Sequence, residues 1–393
     1  MIVGVPKETF PGERRVALTP VVLQQLAKNG IEVLVEAGAG TEAGFSDAEF
    51  TARGGKIAAG REEVFDKADI ITQVLCYGSN DKTGQADLPL MRKDQIVIGF
   101  LRPLGSIDRV QEIASTGATA FSVELMPRST RAQAMDALSS MATVCGYKAV
   151  LIAAANIPRF FPMMTTAAGT ITPARVLVIG AGVAGLQAIA TAKRLGAVVS
   201  GYDIRPASKE QVNSLGAKFV ELALETKDTQ DARGYATQQD ESFYRRQREL
   251  LGEVVAQSDA VISTAAIPGK KPPLLITADA VRKMTPGSVI VDLAAEQGGN
   301  CELTKSAQDT LVNGVKIVGR INLASTVPYH ASLMYSRNLT AFLNLLVKKG
   351  ELNLDLKDDI IRDTLLTRGG EVVNDRVKKF FGIKAEPVTV EAK

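Results

Sequence analysis

Gly180, Gly182 and Gly185 stand in the run Gly180-Ala-Gly182-Val183-Ala184-Gly185, directly after the apolar stretch 176–179 and before Leu186-Gln-Ala-Ile-Ala. Eighteen residues past Gly185, where a second apolar run ends, comes Asp203-Ile204-Arg205. Strand, glycines, helix, strand and acid in that order suit the binding of a dinucleotide. The first glycine makes a tight turn, the second lets backbone approach a pyrophosphate, and the third lets helix and strand pack closely. The helix N-terminus offers unpaired N–H groups and a positive dipole end to the phosphates. A carboxylate at the tip of the second strand accepts hydrogen bonds from ribose hydroxyls. A glycine turn serving only to join strand and helix would leave Asp203 without a purpose. Arg205 pulls the other way, since a nearby arginine can pair with a 2′-phosphate. The carboxylate is expected to dominate and to favour NAD(H) over NADP(H).

The elements that must position these residues form a second run of βα units from 175 to about 323, with further strands expected at 260–264, 289–293 and 317–318. Residues 1 to about 127 alternate β-branched strands at 2–5, 31–35, 70–74, 96–100 and 119–123 with helical patterns at 21–29 and 109–115. That repetition with short connections is the pattern of a parallel sheet. Residues 131–155 read as one long helix, rich in small residues, crossing between the halves. A second amphipathic helix over 332–348, with Leu333, Leu339, Phe342, Leu343 and Leu346, is long enough to return. The expected fold class is α/β: two Rossmann-like, doubly wound parallel-sheet domains linked by long helices. The first is discontinuous (1–137 and 329–393), and the second (138–328) carries the glycine turn. Within the second, 225–241 is polar, with Tyr235 beside Gly234 as its sole aromatic. Such a segment is either a tolerated surface insertion or a lid, and a lone aromatic beside a glycine suits a lid closing on a ligand.

Composition bounds the remaining classes. At 393 residues, 46% hydrophobic and 23% charged, the chain reads as an ordinary soluble globular protein with room for two cores. A net charge of +3 without a basic cluster argues against nucleic acid. Cys76, Cys145 and Cys301 are scattered and odd in number, which fits a reducing compartment better than a disulfide framework. His330 is the only histidine, so no His-based metal cluster is expected, and its setting suits a helix start. The first residues lack the pattern of a signal peptide. No apolar run is expected to reach the ~18 residues of a membrane helix, 149–157 being among the longest.

The loop Met126-Pro-Arg128-Ser-Thr-Arg-Ala-Gln133-Ala-Met-Asp136-Ala-Leu-Ser139 resembles the nicotinamide-side loop of proton-translocating NAD(P) transhydrogenases. The glycine run, Asp203-Ile204-Arg205-Pro, Gly234-Tyr235-Ala, Ala266-Ile-Pro-Gly-Lys and Val291-Asp-Leu-Ala-Ala-Glu-Gln-Gly-Gly-Asn-Cys301 extend the likeness over essentially the whole chain. The chain is similar to the soluble NAD(H)-binding alpha subunit of that family. The resemblance implies NADP(H) on a separate beta subunit and a proton path through membrane-spanning partner subunits. It also implies a homodimer in the cytoplasm, peripheral on the inner face of a bacterial membrane. By the same resemblance Arg128, Asp136 and Ser139 hold the nicotinamide end, while Gln133 reaches toward the opposing NADP(H). Hydride transfer between two nicotinamides moves no proton at the reacting carbons, so the site must orient and dry the rings without a general acid or base. Arg128, Gln133, Asp136 and Ser139 supply the donors and acceptors a carboxamide needs. From the residues alone, the same Gln, Asp and Ser could equally cap and decorate the helix that follows.

The alternative is an NAD-dependent amino-acid dehydrogenase of the alanine dehydrogenase kind. Gly12-Glu-Arg-Arg15-Val-Ala-Leu-Thr-Pro resembles the start of that enzyme, in which an arginine, here Arg15, grips the substrate carboxylate. Oxidising an amine also needs a proton acceptor. Where that relative has a lysine and a histidine this chain has Leu75 and Arg102, so the acid–base set is missing.

Overall fold

The computed structural model describes residues 1–224, 240–267 and 269–383. It divides into two compact units, Met1–Met141 with Ser325–Lys393, and Ala142–Ala324. In chain order the first segment gives β1 (Ile2–Val5), α1 (Pro20–Lys28), β2 (Glu32–Glu36), α2 (Asp47–Ala52), β3 (Lys56–Ala58), α3 (Arg61–Lys67), β4 (Ile70–Leu75), β5 (Ile96–Phe100), α4 (Ile107–Ser115) and β6 (Thr119–Ser122). Local chemistry sets several boundaries. Pro20 opens α1, where its missing N–H costs nothing, and Ser46 with Glu49 forms a reciprocal capping box on α2.

Then comes α5 (Ala137–Asn156), which runs across the unit boundary. It begins at 137 rather than 131, because Asp136 leaves helical geometry and its Oδ1 accepts the Ser139 N–H at 2.9 Å, an N-cap. With Lys148 as its one charged side chain, α5 is long and apolar enough to cross a membrane by length and composition. This corrects the expectation that no apolar run reaches ~18 residues. Ala149, Val150, Ile152 and Ala153 pack in one core cluster with Val176, Val178 and Ile189, the surroundings of a core helix that is apolar all round.

The second unit continues with β7 (Met164–Thr166), β8 (Gly169–Ile171), β9 (Arg175–Ile179), α6 (Val183–Arg194), β10 (Val198–Tyr202), α7 (Ser208–Ser214), β11 (Lys218–Phe219) and α8 (Glu241–Ala256). It ends with β12 (Ala260–Ser263), α9 (Ala278–Lys283), β13 (Val289–Asp292), β14 (Asp309–Val312) and β15 (Val315–Val318). A 3₁₀ turn, Leu323–Thr326, precedes α10 (Pro328–Leu346), β16 (Val347–Lys348), β17 (Glu351–Leu352), α11 (Asp359–Thr364), β18 (Leu365–Arg368), β19 (Glu371–Val372) and α12 (Asp375–Phe381).

The first unit's sheet has the order β19-β18-β6-β5-β4-β1-β2-β3, and the second's β11-β10-β9-β12-β13-β15-β14. The central strands are parallel, and β1, β4, β5, β9, β12 and β13 are almost wholly buried Val/Ile runs, as sheets covered on both faces require. The doubly wound α/β architecture holds, with one refinement: β14, β18 and β19 add antiparallel edges. Two-residue turns at Asn313-Gly314 and Gly369-Gly370, all four residues at positive φ, make those hairpins. The returning segment is stitched into the first. The Val16 and Thr19 N–H groups donate to Ser332 and Ser336 Oγ, both at 3.0 Å, and β18 pairs with β6.

Candidate functional site

In the second unit, β9 ends at Gly180, whose φ of +95° only glycine adopts without strain. A methyl group at Gly185 would overlap the Gly180 carbonyl oxygen, so the turn and the first turn of α6 lie as close as backbone allows. Around Gly182 the opposite holds: a Cβ there would meet nothing within 4 Å. This open approach sits at the N-cap of α6, where no side chain caps and no acidic residue stands in the first turn. Val183 is exposed and Ala184 partly so. The three glycines thus match the three physical demands of a pyrophosphate cradle.

Strands β10 and β12 flank β9 on opposite sides, so the turn lies at the point where the winding reverses, the ligand crevice of open α/β sheets. Asp203 follows β10. Its Oδ2 accepts the Ala181 N–H at 2.7 Å, which ties the carboxylate to the glycine turn. Arg205 folds back onto it, Nε donating to Oδ1 at 2.8 Å and Nη2 to Oδ2 at 2.7 Å. The carboxylate raises the pKa of that guanidinium. Arg205 is thus turned to Asp203 in this state, and Ile204 between them is half-buried.

After β12, the Thr264 hydroxyl donates to the Gly180 carbonyl at 3.0 Å, and Ala266 is exposed two residues on. Sequence reasoning missed what holds this stretch. Fully buried Asn300 accepts from the Ala265 N–H at 3.1 Å and donates to the carbonyls of Ala265 and Pro273 at 2.8 and 2.9 Å. Asp292 in turn accepts the N–H groups of Asn300 and Cys301. The signal was an Asp and an Asn bracketing Gly298-Gly299, a composition suited to side-chain hold on an irregular turn.

In the first unit, Arg128 and Gln133 are exposed, with the fully buried Ala132 between them. Ser139 and Asp136 are brought together, the Ser139 hydroxyl donating to Asp136 Oδ2 at 2.6 Å besides the backbone cap. The capping role is therefore filled, and both side chains stay partly exposed. Arg15, the residue of the dehydrogenase alternative, is 4% exposed and donates to both carboxylate oxygens of Glu13 at 2.7 and 2.5 Å. Nearby Glu8 accepts the N–H groups of Val74 and Leu75 at 2.6 and 3.1 Å, and burial, reinforced by Glu13, pushes its pKa up to about 8. Gly234 and Tyr235 lie outside the described residues.

The alanine dehydrogenase/PNT N-terminal domain family matches residues 4–145, and the C-terminal domain family residues 149–375. The first portion of the NAD(P) transhydrogenase alpha subunit of Rhodospirillum rubrum, a chain in its own right, is 44% identical over 379 residues, 95% of this chain and 98% of that one. The crystal structure of transhydrogenase from Sinorhizobium meliloti superposes with a TM-score of 0.81 at 40% identity, covering 96% of this chain and 100% of that one. An L-alanine dehydrogenase structure superposes at 0.78 with 23% identity, covering 97% and 99%, a likeness of fold. With two matched domains and this identity along nearly its whole length, the chain belongs to the alanine dehydrogenase/PNT family, among its NAD(P) transhydrogenase alpha subunits.

Proposed function

We propose that this chain binds NAD(H) and exchanges hydride directly with NADP(H) carried by a partner subunit. One observation carries the reading: Gly182 leaves open backbone beside the uncapped start of α6, with Asp203 tied to the same turn. The relatives' names support the wider setting, in which this chain is the alpha subunit of a multi-subunit transhydrogenase. In that reading an NADP(H)-binding beta subunit and membrane-spanning subunits complete the enzyme and couple transfer to proton movement. The chain works as a homodimer on the cytoplasmic face of the membrane.

Bound NAD(H) supplies a nicotinamide ring that gives up or takes hydride. The protein's own role is placement. The amides of Val183, Ala184 and Gly185 face the phosphates, and Asp203 accepts from the ribose hydroxyls, with Ile204, Arg205 and Ala266 alongside. Arg128, Asp136 and Ser139 orient the carboxamide, and Gln133 serves the opposing nucleotide. Gly234 and Tyr235 belong to a lid that excludes water. No step calls for a general base. Arg15 is already clamped by Glu13, which weighs against a carboxylate substrate there.

The deciding experiment is steady-state reduction of an NAD analogue by NADPH, with and without the NADP(H)-binding partner. We expect NADH binding by this chain alone, turnover only with the partner, and no oxidation of alanine. Steady NAD-dependent alanine oxidation by the isolated chain would overturn the assignment.

A further inference from the structure

Two elements of the C-terminal segment reach the loop that carries Arg128, Gln133 and Asp136. From the middle of α10, Asn338 Nδ2 donates to the carbonyl oxygen of Ala134 at 2.8 Å. Asn338 is 8% exposed and stands on a helix whose Tyr335, Leu339 and Phe342 are buried. Its Oδ1 is buried and has no hydrogen-bond partner among the described residues. An amide with an unmet acceptor is costly at a position where leucine would pack, so its one bond is what distinguishes it there. That bond falls on the 3₁₀ turn Gln133–Met135, a three-residue turn too short to satisfy its own carbonyls. The second contact is at the surface. Arg131 donates to both carboxylate oxygens of Asp358 at 2.6 and 2.8 Å and also to Asp359, at the start of α11. Between the two contacts Ala132 is fully buried.

We infer that Asn338 is a positioning residue for hydride transfer: it fixes the Gln133–Asp136 turn from beneath, with Arg131 as an outer tether. This deepens the functional reading above and rests on it. Asn338 touches neither candidate nicotinamide-side residue directly. It acts through the backbone between them, so its removal should misorient Gln133 and Asp136 while leaving the glycine turn and Asp203 intact.

The test compares wild type with Asn338→Leu, which keeps the volume and removes the bond, and with Arg131→Gln, which cuts the exposed tether without risk to the core. Amide exchange of Met135 and Asp136 is expected to speed up at least tenfold in Asn338→Leu, with the unfolding midpoint unchanged or raised. In the complex with the NADP(H)-binding partner, hydride transfer from NADPH to an NAD analogue should fall about tenfold. Under the same conditions the NADH dissociation constant should stay within about twofold. Arg131→Gln should give a two- to threefold fall. Unchanged exchange of the turn, or unchanged transfer despite faster exchange, would overturn the inference, as would NADH affinity falling in step with transfer. A wild-type complex that transfers no hydride would instead sink the functional reading, and the exchange comparison would still decide whether Asn338 holds the turn.

Discussion

At the scale of single residues, the pairing of Asp203 with Arg205 decides cofactor choice. The carboxylate is hydrogen-bonded to the glycine turn through Ala181, so a 2′-phosphate arriving there meets a fixed negative charge. Removing that charge also releases Arg205, whose fork now closes on Asp203. Asp203→Asn is therefore expected to weaken NADH binding and strengthen NADPH binding, narrowing the gap from both sides. Calorimetry with each nucleotide reads this, and a gap that does not narrow sinks the idea. Glu8 gives a pH dependence of known sign. Burial holds its folded pKa near 8, against 4.5 for an ordinary glutamate. Unfolding thus releases a proton between those values, and stability falls as pH rises through that window and levels off above it. The full effect is of the order of a few kcal/mol. Glu8→Gln should flatten the slope of unfolding free energy between pH 5 and 8 by about one proton; an unchanged slope would remove Glu8 as its source. The glycines and Asp203 were legible because backbone approach and ribose recognition each demand one residue type. Asn300, Asn338 and Glu8 were not, because an Asn or Glu in sequence gives no sign of whether it is buried against a distant backbone group.

Among elements, α5 and α6 show how tightly the turn is supported. Gly146 on α5 lies so close to the Ala184 carbonyl that a methyl group there would overlap it. Gly146→Ala must push the start of α6 away, at a cost of about 1–3 kcal/mol in stability. Since the moved amides are those meant for the phosphates, NADH affinity should fall more than tenfold. A variant with wild-type affinity would show that α6 is not held from this side. Strands and helices were largely visible as alternating Val/Ile runs and amphipathic stretches, with ends accurate to a few residues. The antiparallel edges were overlooked although Asn313-Gly314 and Gly369-Gly370 are hairpin signals. The early start assigned to α5 came from small residues before Asp136, whose capping role overrides their propensity.

For the whole molecule, the first unit is the vulnerable one, because its sheet is completed by residues more than two hundred positions away. The Ala120 N–H, for instance, donates to Thr367 Oγ1 across 247 residues of chain. Deleting 359–383 strips β18 and β19 from β6 and uncovers an apolar edge. The expected outcome in calorimetry is loss or marked lowering of one unfolding transition, while NADH binding, assigned to the second unit, survives. Loss of binding with the first transition intact would contradict that division. The discontinuity itself could be anticipated, because a glycine-turn domain in mid-chain leaves two flanks that must find each other.

This threading has a consequence for biosynthesis. The second unit is one uninterrupted stretch, 142–324, and can close as soon as it clears the ribosome, whereas the strands of residues 1–122 must wait for β18 at Leu365. At roughly 5–20 residues per second, that wait lasts on the order of ten seconds or more. During it, β6 offers an unpaired strand to any neighbouring nascent chain, so on crowded polysomes this seam between first and last segments is where chaperone protection matters most.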